Sequence, residues 1–554
     1  MTGVQTCALP ILPQNGVYPL VRADWVLAAV LAMGAFLVYC ATVAPTVTGE
    51  DSGELITAAW GLGIPHPPAY PLWCLLAHPF TWLPWGTVAW RVNLASCAFG
   101  AGAVLFVAIL GIMLMRSRLA AVAAALAFAF SREFWEQSLI AEVYSLNALC
   151  IAGCLFVLLQ WRMRRSDAWL RVLAVVYGLS LANHNSMIVA GPVFALYILG
   201  VERSCCWRRY GFYATCCAIA LGCAFLVELY LPIRSLANPA MDWGNPETVS
   251  NFWDVVRRKQ YAFMYSQYPR DAWRFVAQCG AFAWFLPREF TSLVSLAGVA
   301  GLALLFRRAL GPFLLIVGTS GAITLAAIHM QNFNIDKEWL WVMSVFAIPL
   351  WMAVALGIGE AVRATQARYG VRVAMVLAFV CIFFPLGANG YHNNRSESYI
   401  VEDYARNLLE SLEPDAILVT EYDHASFPAI YLQNVEKVRP DVSLARKYGY
   451  VDMGLVPDLP EEKRAEWGPF PKRRYEPEYF AFLIAHTARP VYFQVPPRLP
   501  SGSDVTFAPA GLLYRAVRKG ETMPAHDYWG GYRWRDRGRD DSRGDYTSEL
   551  IRLE

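Results

Sequence analysis

The sequence predicts a mainly α-helical, multi-pass membrane protein that ends in a soluble α/β domain. Three observations carry that expectation. Hydrophobic residues make up 56% of the 554-residue chain, more than an ordinary soluble protein carries. They gather before about residue 390 in apolar runs at approximately 24–43, 91–115, 119–130, 139–160, 169–182, 186–200, 211–231, 290–306, 309–330, 340–361 and 373–388. Each run is long enough to cross a bilayer or nearly so, which makes about 11 spans. Beyond residue 390 the composition turns to that of a soluble protein.

The charges between the runs set the topology. Arginines cluster in alternate loops: Arg116 and Arg118; Arg162, Arg164 and Arg165; Arg203, Arg208 and Arg209; Arg307 and Arg308; Arg363, Arg368 and Arg372. The positive-inside rule makes these five loops cytoplasmic. The N-terminus is then inside, residues 24–390 form the membrane domain, and residues 391–554 lie outside. The expected location is a bacterial inner membrane with the outward face in the periplasm.

The tail alternates helix and strand signals. Glu402–Leu412 has helical spacing and Ala416–Thr420 reads as a buried strand. A helix near 427–435, a strand near Val442, a helix at 480–486 and strands at 491–495 and 511–517 follow, which favours a partly parallel sheet. The Arg- and Asp-rich end, Trp534 to Arg543, reads as solvated or flexible.

Composition also excludes some classes. A formal net charge of +3 is too small to point to nucleic acid. The 13 cysteines stop at Cys381, and Cys205-Cys206 and Cys216-Cys217 lack zinc-ligand spacing, so they read as small packing residues. Residues 1–11 include TGVQTCALPI, which looks like a translated sequencing adapter and is set aside from fold reasoning.

Unusual residues collect in the outward loops. The first holds Thr48-Gly49-Glu50-Asp51-Ser52-Gly53-Glu54, then Ile64-Pro65-His66-Pro67-Pro68-Ala69-Tyr70-Pro71. Three carboxylates at the end of a span are costly unless they face water or a polar site. Asp51 and Glu54 also fit a capping-box helix start, which would be purely structural. Gly49 can let the chain turn there. His66, fixed between prolines, is either structural or a group that binds phosphate or orients a carboxylate. The second outward loop carries Glu133, Glu136 and Glu142, and the third carries His184. In the fourth, about 232–289, Arg234 either anchors a span or clamps a lipid phosphate. There Arg257, Arg258 and Lys259 read most simply as a solvated face or headgroup contact.

Glu50-Asp51-Ser52-Gly53-Glu54 with His66-Pro67-Pro68-Ala69-Tyr70-Pro71-Leu72 resembles one multi-pass family. Its animal member is the endoplasmic-reticulum O-mannosyltransferase acting on IPT domains of plexins. Glu142-Val143-Tyr144, Asn238-Pro239, Trp243-Gly244-Asn245-Pro246, Lys259-Gln260-Tyr261, Arg406-Asn407 and Pro414-Asp415-Ala416-Ile417-Leu418 extend the resemblance through the chain. It departs at Ala69, where the family is expected to have glycine. The resemblance implies a GT-C fold, a polyprenyl-phosphate sugar donor with mannose as the expected sugar, and a protein hydroxyl acceptor. It places an acidic catalytic motif in the first outward loop; on that reading Asp51 is expected to be the catalytic base with Glu54 in support, and Glu50, His66, Tyr70, Glu142, His184, Arg234 and Lys259 are the expected substrate-binding residues. No cofactor is expected with certainty, and a divalent metal stays open. The rival reading is a transporter or lipid-binding membrane protein whose acids couple to ions.

Overall fold

The computed structural model describes residues 17–202, 209–262, 268–446, 460–467, 476–523, 526–535, 547 and 550–551. The adapter-like prefix and the Cys205-Cys206 pair lie outside these residues. Every apolar run is helical. Among the described residues, seven helices are long and apolar enough to cross a membrane: Arg22–Thr42, Val88–Met115, Tyr144–Arg164, Tyr210–Ser235, Leu310–Gln331, Lys337–Tyr369 and Val371–Asn393. An eighth arises if Ala272–Phe290 and Ser292–Arg308, bent by 113°, count as one span.

The expected figure of about 11 therefore falls to seven or eight helices of spanning length. Arg118–Ala129, Asp167–Leu181 and Ser186–Glu202 are apolar but short. Twelve helical residues reach roughly 18 Å, well under a hydrocarbon core of about 30 Å. A second difference lies in the fourth outward loop, which ends in the helix Ala272–Phe290 rather than in irregular chain. Arg274, Gln278 and Arg288 interrupt its apolar run, so windowed hydropathy passes over it.

The tail folds around a five-stranded sheet of β1 (Ile417–Thr420), β2 (Ser443–Arg446), β3 (Val491–Phe493), β4 (Val505–Ala510) and β5 (Leu513–Arg518), in the order β2-β1-β3-β5-β4. β2, β1 and β3 run parallel, and β5 is antiparallel to β3 and β4. Sequence reading missed β4 because Pro509 argues against a strand. As an edge strand, β4 tolerates a residue without a backbone N–H. The Arg/Asp-rich end also differs from expectation in its described part. Arg535 donates to Asp403 at 2.8 Å and to Glu402 at 2.9 Å, which pins that stretch to the helix Ile400–Glu410.

Strand alternation explains how the tail joins the membrane domain. Ile417 and Val419 share a core with Phe480, Leu483 and Ile484 of the covering helix Glu476–His486. Leu418, on the opposite face, joins a core that also holds Leu55, Ile56, Trp73, Trp243, Phe427 and Tyr431. That core is continuous from the first outward loop through the fourth and into the tail.

Gly53 sits at the closest approach. A Cβ there would lie 2.3 Å from the backbone carbonyl of Phe427, on the helix Asp423–Asn434. Gly53→Ala is therefore expected to destabilise the protein by about 1–3 kcal/mol. A lowered melting temperature and earlier proteolysis near residues 394–399 would register this. Gly61→Ala, whose Cβ meets nothing within 4 Å, serves as control and should leave both unchanged.

Candidate active site

Asp51 precedes the helix Ser52–Gly61, yet its side chain makes no capping hydrogen bond. The capping-box reading thus fails on geometry. The left-handed turn before the helix belongs to Glu50, at φ 57°, and not to Gly49. Gly49 instead admits Thr547, whose side chain a Cβ would meet at 2.4 Å.

Glu54, one turn into the helix, is fully buried and its carboxylate pairs with Nδ1 of His66. It also accepts from the His66 backbone N–H at 3.4 Å. The Glu54 carboxylate is therefore turned toward His66 and away from solvent. Nε2 of His66 lies 2.8 Å from the Tyr70 hydroxyl and 3.8 Å from the Asp51 carboxylate. Burial alone would lower the His66 pKa, but the Asp51 and Glu54 carboxylates outweigh it and lift it from 6.5 to about 9. At neutral pH His66 is an imidazolium between two acids. Of the roles open to His66 in the sequence, this geometry is that of a group oriented between two carboxylates.

The run that presents His66 is held from both sides. The Ile64 N–H donates to the Met241 carbonyl at 2.7 Å and the Trp243 N–H donates to the Ile64 carbonyl at 2.9 Å. The Trp243-Gly244-Asn245-Pro246 stretch is thereby tied to the first loop. Ala69 and Tyr70 are both left-handed, at φ 73° and 45°. Glycine would adopt the Ala69 conformation without the Cβ strain of roughly 1–2 kcal/mol, which gives the expected family glycine a physical reason.

Asp51 opens into a cavity of about 300 Å³ between the bundle and the tail. Glu50, Glu142 and Tyr144 line it with Asp51, and Tyr422, Asp423 and His424 of the tail face it from the other side. The Asp51 side chain keeps 38% of its surface exposed, against none for Glu54. Glu142 is buried, and desolvation first, then the Asp51 charge, pushes its pKa well above the usual carboxylate range. Burial thus favours its protonated form, which can donate a hydrogen bond. Among the described residues its Oε1 has no hydrogen-bond partner.

Three expected substrate contacts are placed elsewhere. His184 stacks on Tyr70 with ring centroids 6.1 Å apart and accepts from Ser186 at Nδ1. Burial, then Arg258 and His66, lower its pKa to about 3, so it is a neutral support behind Tyr70. Arg234 donates to the carbonyls of Leu62 at 2.7 Å and Gly61 at 3.0 Å, closing the C-terminus of the helix Ser52–Gly61. Lys259 is exposed and pairs with Asp254 at 2.7 Å. Its neighbour Arg258 supplies the local cation instead. Arg258 turns inward through a left-handed φ of 55°, stacks over Tyr261 at 4.9 Å, and its charge acts on His66 and His184. Sequence spacing carried no signal that distinguished Arg258 from Lys259. Nor did it mark Tyr422, Asp423 and His424, which meet Asp51 only through folding. Asp51, Glu54 and His66 each offer a ligand atom within 4.8 Å of the others, close enough to share one divalent cation.

The fold, with its long apolar helices, defines a multi-pass membrane protein. The chain matches the protein O-mannosyl-transferase TMEM260 N-terminal domain over residues 51–205 and the TMEM260-associated domain 2 over residues 401–450. It is 28% identical over 434 residues to the protein O-mannosyl-transferase TMEM260 of Mus musculus, covering 74% of this chain and 60% of that protein. It is 21% identical over 471 residues to the Dictyostelium discoideum protein of the same name, covering 75% of this chain and 56% of that one. The chain thus spans less than two thirds of the length of the curated relatives it matches. The crystal structure of ArnT from Cupriavidus metallidurans in the apo state shares the fold, with a TM-score of 0.54 and 13% identity over 90% of this chain and 99% of that one. The chain is thus similar to the TMEM260 protein O-mannosyl-transferases in two segments and shares its fold with ArnT.

Proposed function

We propose that this protein is a membrane glycosyltransferase that moves a sugar, mannose by analogy with its named relatives, from a polyprenyl-phosphate donor to a protein Ser or Thr hydroxyl. The observation that carries the reading is Asp51. It is the partly exposed carboxylate beside a buried Glu54–His66 ion pair, and it opens into a cavity shared by the bundle and the tail.

In this reading the acceptor oxygen approaches Asp51, which takes its proton as the oxygen attacks the anomeric carbon and the lipid phosphate leaves. A single displacement inverts that carbon. His66, fixed by Glu54 and Tyr70, holds the base in place and keeps it from swinging toward bulk water. Glu142, whose burial favours the protonated form, donates to a sugar hydroxyl. Tyr422 and His424, stacked at 5.4 Å with planes 8° apart, offer an aromatic wall from the tail for the acceptor.

The test is direct. The chain in lipid nanodiscs, given polyprenyl-phosphate mannose and a folded protein acceptor, should yield a hexose-modified acceptor by mass spectrometry. Ion-coupled flux in proteoliposomes without any transfer would favour the transporter reading instead.

A further inference from the structure

A second cavity, of about 290 Å³, lies beside the first, and Glu133 and Trp341 line both. Its character is opposite. Where the first cavity is walled by acids, the second brings Arg132, Arg288, Lys337 and Arg395 to one space. Three carboxylates share it, but two of them are already committed. Glu136 pairs with Arg395 at 2.5 Å, and Glu289 accepts from the Glu133 backbone N–H at 3.0 Å. Glu133 itself has its pKa lifted to about 8, by burial first and then by Glu136 and Glu289, so it is mostly uncharged at neutral pH.

Arg132 and Arg288 are the informative pair. Among the described residues, neither guanidinium makes a hydrogen bond or an ion pair; Arg288 only stacks over Phe285 at 5.7 Å. Both side chains line the same cavity. Glu289, Glu133 and Glu136 offset part of their charge, yet both guanidiniums keep unused donors, and a guanidinium fork matches phosphate oxygens in pairs. The break between Ala272–Phe290 and Ser292–Arg308, at Thr291 with φ 68°, puts Arg288 at the end of its helix and beside the cavity. Irregular backbone at membrane depth is tolerated where it lines such a cavity.

One wall of the cavity carries an exposed apolar face. Trp284 lines the cavity and is 77% exposed, and Trp273 and Val276 are also exposed on the same helix. An anion that meets both the arginines and this face carries a hydrocarbon chain.

We infer that the cavity between Arg132 and Arg288 binds the phosphate headgroup of a membrane-embedded lipid, with its first chain carbons against Trp284. If that lipid is the sugar carrier, the site deepens the proposed function and rests on it. The adjoining acidic cavity repels a phosphate and admits a neutral sugar, so the anomeric carbon would sit at the shared wall near Glu133. Lipid binding is measured without turnover, so its failure is separable from failure of the transferase reading.

The experiment measures binding to the full chain in detergent by native mass spectrometry, with a polyprenyl phosphate, phosphatidylglycerol and inorganic phosphate as probes. The wild type should bind the polyprenyl phosphate, and R132A/R288A should weaken it at least about tenfold, the worth of one charge-assisted contact. R132K/R288K keeps the charges without the forks and should retain part of the affinity. Trp284→Ala, at an exposed position that tolerates truncation, should weaken lipid binding while sparing inorganic phosphate. Preference for the polyprenyl phosphate would identify the carrier lipid as the occupant, and equal binding of phosphatidylglycerol would identify a bilayer headgroup. Lipid affinity unchanged in both R132A/R288A and Trp284→Ala would overturn the proposal, as would binding of inorganic phosphate alone.

Discussion

Asp51→Asn is expected to lower sugar transfer by on the order of 10²–10⁴, the usual worth of a general base, with little change in thermal stability. The substitution keeps shape and polarity and removes only the proton acceptor. Because the Asp51 side chain makes no capping hydrogen bond, the helix Ser52–Gly61 loses nothing when the charge goes. The buried His66 loses one of its two acidic partners but keeps Glu54, which pairs with it directly. Initial rates in nanodiscs with polyprenyl-phosphate mannose, beside a melting curve of the same preparation, check both halves. Near-normal transfer by the variant would remove Asp51 as the base, whatever the melting curve shows.

Glu54→Gln is expected to act on stability first. Glu54 and His66 form a buried ion pair, and removing one partner of such a pair typically destabilises by about 3–5 kcal/mol. The pH dependence identifies the pair. His66 titrates at about 9 in the fold against an ordinary 6.5. Its contribution is therefore fully present below about pH 6.5 and is lost as pH rises through about 9. Wild-type melting temperature should decline across that window, and the decline should flatten in Glu54→Gln. The variant's transfer rate should also shift its pH profile to lower pH, since His66 then holds its proton less tightly. Glu54→Asp should restore part of the pH dependence. A wild-type melting temperature that is level from pH 6.5 to 9 would contradict the assignment of His66 as a charged partner.

Much of this architecture is legible in the chain because it is set by local, repetitive physics. A lipid interior demands long apolar helices with satisfied backbones, and arginines near their ends mark the inner side. The helices of the membrane domain and most strands of the tail are visible for that reason. So is the acid cluster, because Asp51, Glu54 and His66 are close in sequence and two of them share one helix start. The helix Ala272–Phe290 and the edge strand β4 are not, since polar residues in the one and Pro509 in the other break the local pattern.

By itself, then, the sequence determined a multi-pass helical protein with an acidic loop after its first long helix and a helix–strand tail. Only tertiary structure decided how the loop is used. Arg234 and Lys259 look better placed than Arg258 in the chain, yet hydrogen bonds to Leu62 and Gly61 occupy the first and Asp254 occupies the second. Gly53 reads as part of a motif, but its lack of a side chain is what lets the Phe427 backbone approach. Arg132 and Arg288 lie 156 positions apart and share a cavity only because a helix breaks at Thr291. Spacing along the chain encodes periodicity within an element. Which side chains meet across hundreds of residues is settled by packing, where excluded volume and the cost of stranded charge select one arrangement.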